Sequence, residues 1–246
     1  VNTITGTVIK ALLVAGIAYF IGMKAAGAQV AMNEKVMLNS NNMVLLRGEV
    51  NEDSIGRLEL DLAKVVAKRL FKDYPIYLVI DSPGGEVDTG LDFIEVAKLV
   101  PNLRTIVIFG ASMAADITES LPGERMMTNK GVLMFHRARG QFQGQFEVGE
   151  LESRFEFAKK QILDLETTVA NRLKMSIFEF KGHAKDEWWL NAKEAVQYKA
   201  ADKIVDISCS QELIDKRTEI TQESIFGTFT MVYSNCPTFR LGFAKK

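Results

Sequence analysis

From residue 43 onward, apolar positions alternate between short continuous runs and helical stripes. Residues 43–50 (MVLLRGEV) are rich in aliphatic side chains and stop at a polar cluster, which predicts a strand. Asn51, Glu52, Asp53 and Ser54 then supply helix-cap residues. The spacing predicts a helix to about Leu70, with Leu58, Leu60, Leu62, Val65, Val66 and Leu70 on its apolar face. Residues 75–80 (PIYLVI) are almost wholly apolar, as in a strand covered on both faces. A turn, Asp81-Ser82-Pro83-Gly84-Gly85, leads to a helix from about Thr89 to Val100, stopped by Pro101. A strand at 105–109 ends at Gly110, a small-residue helix begins around Ser112, and a strand at 131–135 ends on His136. This β-α-β-α-β rhythm predicts an α/β fold with mostly parallel strands.

The pattern changes twice beyond His136. Val148, Leu151, Phe155, Ala158, Ile162, Leu165 and Val169 recur at spacings of three and four, which predicts a long helix from about Glu147 to Leu173. A stripe that narrow suits a helix that projects and packs against another subunit; a helix lying on its own sheet gives the same pattern. After Asp206, threonines and an alternating run at 226–233 (FGTFTMVY) predict a small β appendage.

The N-terminus differs from all of this. Lys10 precedes an uncharged run at 11–23, and Ala26-Gly27-Ala28 follows Lys24. Charge, apolar run and small-x-small triplet in that order describe a secretory signal. Extended back to Ile4, the same run describes a membrane anchor of about 30 Å. An amphipathic or buried helix is the third reading. Each of the first two puts the rest of the chain outside the cytoplasm or at a membrane.

With 47% apolar and 25% charged residues, the chain has the composition of a globular protein, not of a disordered one. A net charge of −1 provides no broad basic surface, which argues against a nucleic-acid partner. Cys209 and Cys236 match neither a zinc-site spacing nor a CxxC redox pair. In an oxidising compartment they become candidates for a bridge that ties the appendage down.

Candidate chemistry gathers at predicted strand ends. Paired glycines after residues 75–80 let a ligand approach exposed backbone N–H groups. Ser112 lies in Gly110-Ala111-Ser112-Met113-Ala114-Ala115 at a helix start, where unpaired N–H groups favour a developing oxyanion. A capping serine among small core residues accounts for the same local sequence. Of the two histidines, His136 ends the next strand and so falls on the same sheet edge as Ser112. A base needs a group to fix its tautomer, and Asp186 and Glu187 precede Trp188-Trp189 as candidate acids.

Across residues 45–206 the chain resembles the proteolytic subunits of Clp proteases and their exported or phage relatives. The likeness is carried by Asp81-Ser82-Pro83-Gly84-Gly85 with Gly90, Ala111-Ser112-Met113-Ala114, Val132-Leu133-Met134-Phe135-His136, and Leu190-Asn191-Ala192-Lys193-Glu194-Ala195 ending in Asp202. The resemblance implies a crotonase-like spiral β-α core with a projecting handle helix, to which the pattern read above adds an N-terminal apolar helix and a small C-terminal β appendage. Together with the N-terminal segment and the appendage read above, it divides the chain into a signal or anchor at 1–32, a serine peptidase domain at 43–207 and the appendage at 208–246. It implies Ser112 as nucleophile, His136 as base, and the N–H groups of Gly85 and Met113 as oxyanion hole. By register the acid is Glu187, with Asp186 as the alternative. The implied reaction is endopeptidase hydrolysis of peptide or protein substrates by a homo-oligomer, needing no cofactor or metal. An ATPase partner is unsupported, because an apolar segment replaces the N-terminal loops that would meet it. A Ser–Lys peptidase and a catalytically silent membrane-tethered scaffold are the competing readings.

Overall fold

The computed structural model describes residues 33–139, 147–224, 227–238 and 240–245. The N-terminal apolar segment lies outside the described residues. Among those described, no helix is long and apolar enough to cross a membrane.

The architecture is α/β, built on a seven-stranded, mostly parallel sheet. Its strands are β1 (Glu34–Leu38), β2 (Met43–Arg47), β3 (Ile76–Ser82), β4 (Leu103–Ala111), β5 (Arg125–His136), β6 (Glu187–Asn191) and β7 (Lys203–Cys209). The order β1-β7-β5-β4-β3-β2 places β2 to β5 side by side in chain order, and each added strand advances the sheet in one direction. Helices α1 (Glu52–Lys68), α2 (Val87–Lys98) and α3 (Met113–Ser120) make the crossovers between them. β5, paired with β4 along one edge, is long enough for two partners along the other. Its first half pairs in parallel with β7 and its second half pairs antiparallel with β6.

Local sequence explains most of these elements. β3 is buried at every position, as its unbroken apolar run requires. Asn51 caps α1 through a reciprocal box with Ser54. Ile55, Leu58, Leu62 and Val65 form its buried face, at spacings of three and four. The expected contributions of Leu60, Val66 and Leu70 fail. Leu60 and Leu70 are 63% and 84% exposed, since at 100° per residue position 60 points away from position 58. Below the sheet, Val36, Leu38, Tyr77, Val79, Ile106, Met126 and Val205 form a second core.

The long helix α4 (Val148–Arg172) runs almost as its heptad predicts, but its two halves differ. Leu165, Val169, Ala170 and Leu173 are buried, where it packs on α3 and on α5 (Ile177–His183). Leu151 and Phe155, in its first half, are exposed. After α6 (Ala192–Gln197), β7 and the short α7 (Gln211–Asp215), the chain forms a separate antiparallel sheet. This sheet comprises β8 (Arg217–Ser224), β9 (Gly227–Ser234) and β10 (Arg240–Lys245), one strand more than a hairpin. Cys209, at the end of β7, is bonded to Cys236 just beyond β9, with an S–S distance of 2.09 Å.

Candidate active site

The C-terminal ends of β3, β4 and β5 meet at one sheet edge. β3 runs out into Pro83-Gly84-Gly85. Gly84 and Gly85 have φ of 88° and 152°, a region closed to most side chains. A Cβ on Gly84 would lie 2.7 Å from Ser112 Cβ and 2.8 Å from Met113 N, so the turn and the serine pack backbone to backbone. Val50 N donates to Gly84 O at 2.8 Å and Glu86 N to Val50 O at 2.9 Å. These two bonds clamp Gly85 from both sides and leave its own N–H without an acceptor among the described residues.

Ser112 occupies the joint between β4 and α3 with φ 55° and ψ −129°. Positive φ is rare for a serine, and a strained strand-to-helix joint is how a nucleophilic serine is lifted clear of its sheet. Its N–H donates to Met134 O at 2.9 Å, which pins the joint to β5. The hydroxyl makes no helix-capping bond, in contrast to the capping-serine reading. It lies instead 2.7 Å from His136 Nε2. In the tautomer with Nε2 bare, the serine hydroxyl donates this bond. Met113, the first helical residue, has an N–H with no described acceptor, beside that of Gly85.

Glu187 begins β6 directly across the ladder from His136. Its carboxylate accepts from the Trp189 indole N–H at 2.9 Å, and no described carboxylate bonds the His136 ring. Asp186 is exposed, one residue before the strand. The other histidine, His183, stacks on Trp188 with ring centroids 4.3 Å apart, while Trp188 lies against Phe135. His183 is therefore part of the packing that seats β6.

These elements coincide with a known family. A family profile described as Clp protease matches residues 26–208. The chain belongs to the Clp protease family. The ATP-dependent Clp protease proteolytic subunit of Streptococcus mutans is 27% identical over 172 residues, which cover 69% of this chain and 87% of that protein. The corresponding subunit of Streptococcus agalactiae serotype V matches equally, and that of Streptococcus gordonii is 26% identical over 171 residues. Membership implies a peptidase.

Away from this edge, along α3 and at the start of β5, lies a set of ionisable groups of which the sequence named only Asp202. Glu119 on α3 is fully buried and meets Arg125 at the start of β5, which also grips Asp202 at 2.7 Å. Burial pushes Glu119 up to about 8 despite the guanidinium. Burial acts on Asp202 in the same sense, but its hydrogen bonds to Arg125 prevail and lower it. Asp116, one turn into α3, is raised to about 7 by burial and by the charge of Glu166 on α4. Glu166 is itself paired with Lys181 of α5 at 3.0 Å.

The appendage also reaches this edge. Arg47, at the end of β2, pairs with Asp81 at 3.2 Å, where β3 enters the glycine turn. The same guanidinium donates to Pro237 O at 3.2 Å and lies 5.0 Å from the Tyr233 ring centroid. Among the described residues, no cluster of histidine, cysteine and carboxylates is arranged to hold a metal ion.

Proposed function

We propose that the chain is a serine endopeptidase that cleaves peptide bonds through an acyl-enzyme formed on Ser112. The observation that carries this reading is the 2.7 Å contact between Ser112 Oγ and His136 Nε2 at a strained strand-to-helix joint. Ser112 attacks the peptide carbonyl as His136 Nε2 takes its proton. The charge that develops on the carbonyl oxygen meets the N–H groups of Gly85 and Met113, fixed before the reaction begins. His136 then passes the proton to the leaving amine, and water releases the acyl group by the same route in reverse. The test is Ser112→Ala, with peptide hydrolysis and fluorophosphonate labelling measured together. Both fall to background if the reading is right; full activity in the variant ends it.

The position of Glu187, on Trp189 and not on His136, favours a second reading, a silent member of the family. Absence of labelling in the unmodified chain under varied conditions points there. The bonded cysteine pair supports an oxidising compartment, in keeping with an N-terminal signal or anchor. The exposed first half of α4 supports self-association through that helix. Substituting Leu151 and Phe155 by Asp is expected to lower the molar mass measured by light scattering.

A further inference from the structure

Alternation along β6 turns Trp188 to one face, against Phe135, His183 and Tyr198, and turns Glu187 and Trp189 to the other. His136 stands opposite Glu187 in register, where facing Cβ atoms are ordinarily about 5 Å apart. The glutamate thus has His136 across the ladder and the indole N–H of Trp189 on its own strand. Its carboxylate takes the indole, at 2.9 Å. Trp189 is about half exposed and its ring leans on Phe109, with centroids 6.4 Å apart.

Resting on the serine-peptidase reading, we propose that Trp189 is a positioning residue of this site. Its indole N–H holds the Glu187 carboxylate off His136. The site passes from a Ser–His pair to a Ser–His–Glu triad when that one hydrogen bond is exchanged for one to His136 Nδ1. The exchange needs only rotation of the glutamate side chain, because the ladder already sets the two residues face to face. An exposed bond to a neutral indole is readily given up. Once His136 has taken the serine proton, its ring is a cation, and a carboxylate prefers a charged donor to a neutral one. The charge created by the first step therefore draws the acid in. Among the described residues, Ser112 bonds His136 from the β4–α3 joint and Glu187 stands opposite it on β6. Arg137 and Arg139 follow it in the chain, both exposed.

The experiment uses the full chain with Trp189→Phe, Glu187→Gln and the double variant. Phenylalanine keeps the ring contact with Phe109 and removes the donor. Imidazole N–H resonances are followed by proton NMR, assigned to His136 by their loss in His136→Asn. Ser112 labelling by a fluorophosphonate is timed in parallel. Trp189→Phe should bring a new low-field His136 N–H signal and speed labelling about tenfold. The double variant should lose both gains, and Glu187→Gln alone should leave the resting imidazole spectrum unchanged. A folded Trp189→Phe chain without the new signal overturns the proposal, as does an equal gain in labelling when residue 187 is glutamine. The NMR readout needs no turnover, which separates the two failures. A low-field signal without Ser112-dependent labelling overturns the peptidase reading and leaves the positioning role standing. Labelling without the signal does the reverse.

Discussion

Gly84 is the residue on which Ser112 depends most directly. A methyl group there would collide with Ala111 O at 2.5 Å as well as with the serine and Met113 N. The positive φ adds its own cost, so Gly84→Ala is expected to destabilise the fold by about 1–3 kcal/mol. The larger effect is on chemistry. Two of the three obstructing atoms are backbone and the third is the Ser112 Cβ, so the glycine turn and the β4–α3 joint must move apart, separating the N–H groups of Gly85 and Met113 that are proposed as oxyanion donors. Loss of an oxyanion donor typically costs about 100-fold or more in kcat. A Gly84→Ala chain that melts cooperatively but labels slowly fits this account; one that labels at the original rate contradicts it. The sequence displayed Ser112, His136 and the glycine pair, because strand-end placement is written in the apolar runs before them. It did not display the bond between Glu187 and Trp189, since which donor a flexible carboxylate selects depends on the pairing of β6 with β5.

At the scale of elements, α1 shows how far residue type misleads without a phase. Leu60 and Leu62 are the same residue two positions apart, yet one faces water and the other is 2% exposed. Leu62→Ala should cost about 2–5 kcal/mol and Leu60→Ala less than about 0.5 kcal/mol, as measured by urea unfolding. Strands β2 to β4 and the second half of β5 were legible because extensive burial leaves a nearly continuous apolar signature. β6 was not, because Glu187 and Asn191 bracket two tryptophans and the strand exists through its pairing with β5. β1 and β7 were missed for a related reason. Their residues, such as Glu34, Lys35 and Asp206, mix charge with aliphatic positions, and each strand leaves much of one side to solvent. The first half of β5 escaped notice too, since Arg125 is a buried charge whose acceptance depends on Glu119 and Asp202 from distant parts of the chain.

For the whole molecule, three perturbed carboxylates set opposing pH windows. Glu119 and Asp116 titrate higher when folded, so folding takes up protons between their ordinary range near 4 and about 8 and about 7 respectively. Their contribution is complete below that window and is lost as pH rises through it. Asp202 is lowered, so its contribution is present above its ordinary value and lost as pH falls beneath it. Stability should therefore peak in mildly acidic solution and decline toward pH 8, and Glu119→Gln should flatten the alkaline decline. Thermal melts at stepped pH check this, and a midpoint that climbs from pH 5 to pH 8 refutes it. The Cys209–Cys236 bridge closes a loop of 27 residues, so Cys236→Ser is expected to lower unfolding stability by about 3 kcal/mol.

That bridge has another consequence, for what becomes of the chain if its backbone is nicked. A backbone cut between the two cysteines would ordinarily free everything that follows it, and a cut ahead of β9 would free β9 and β10 together. Here the fragment stays attached through sulfur, with the Pro237 carbonyl still beside Arg47. A nicked molecule would run as one band without reductant and as two with it, and would keep its Ser112 labelling until the thiols were released.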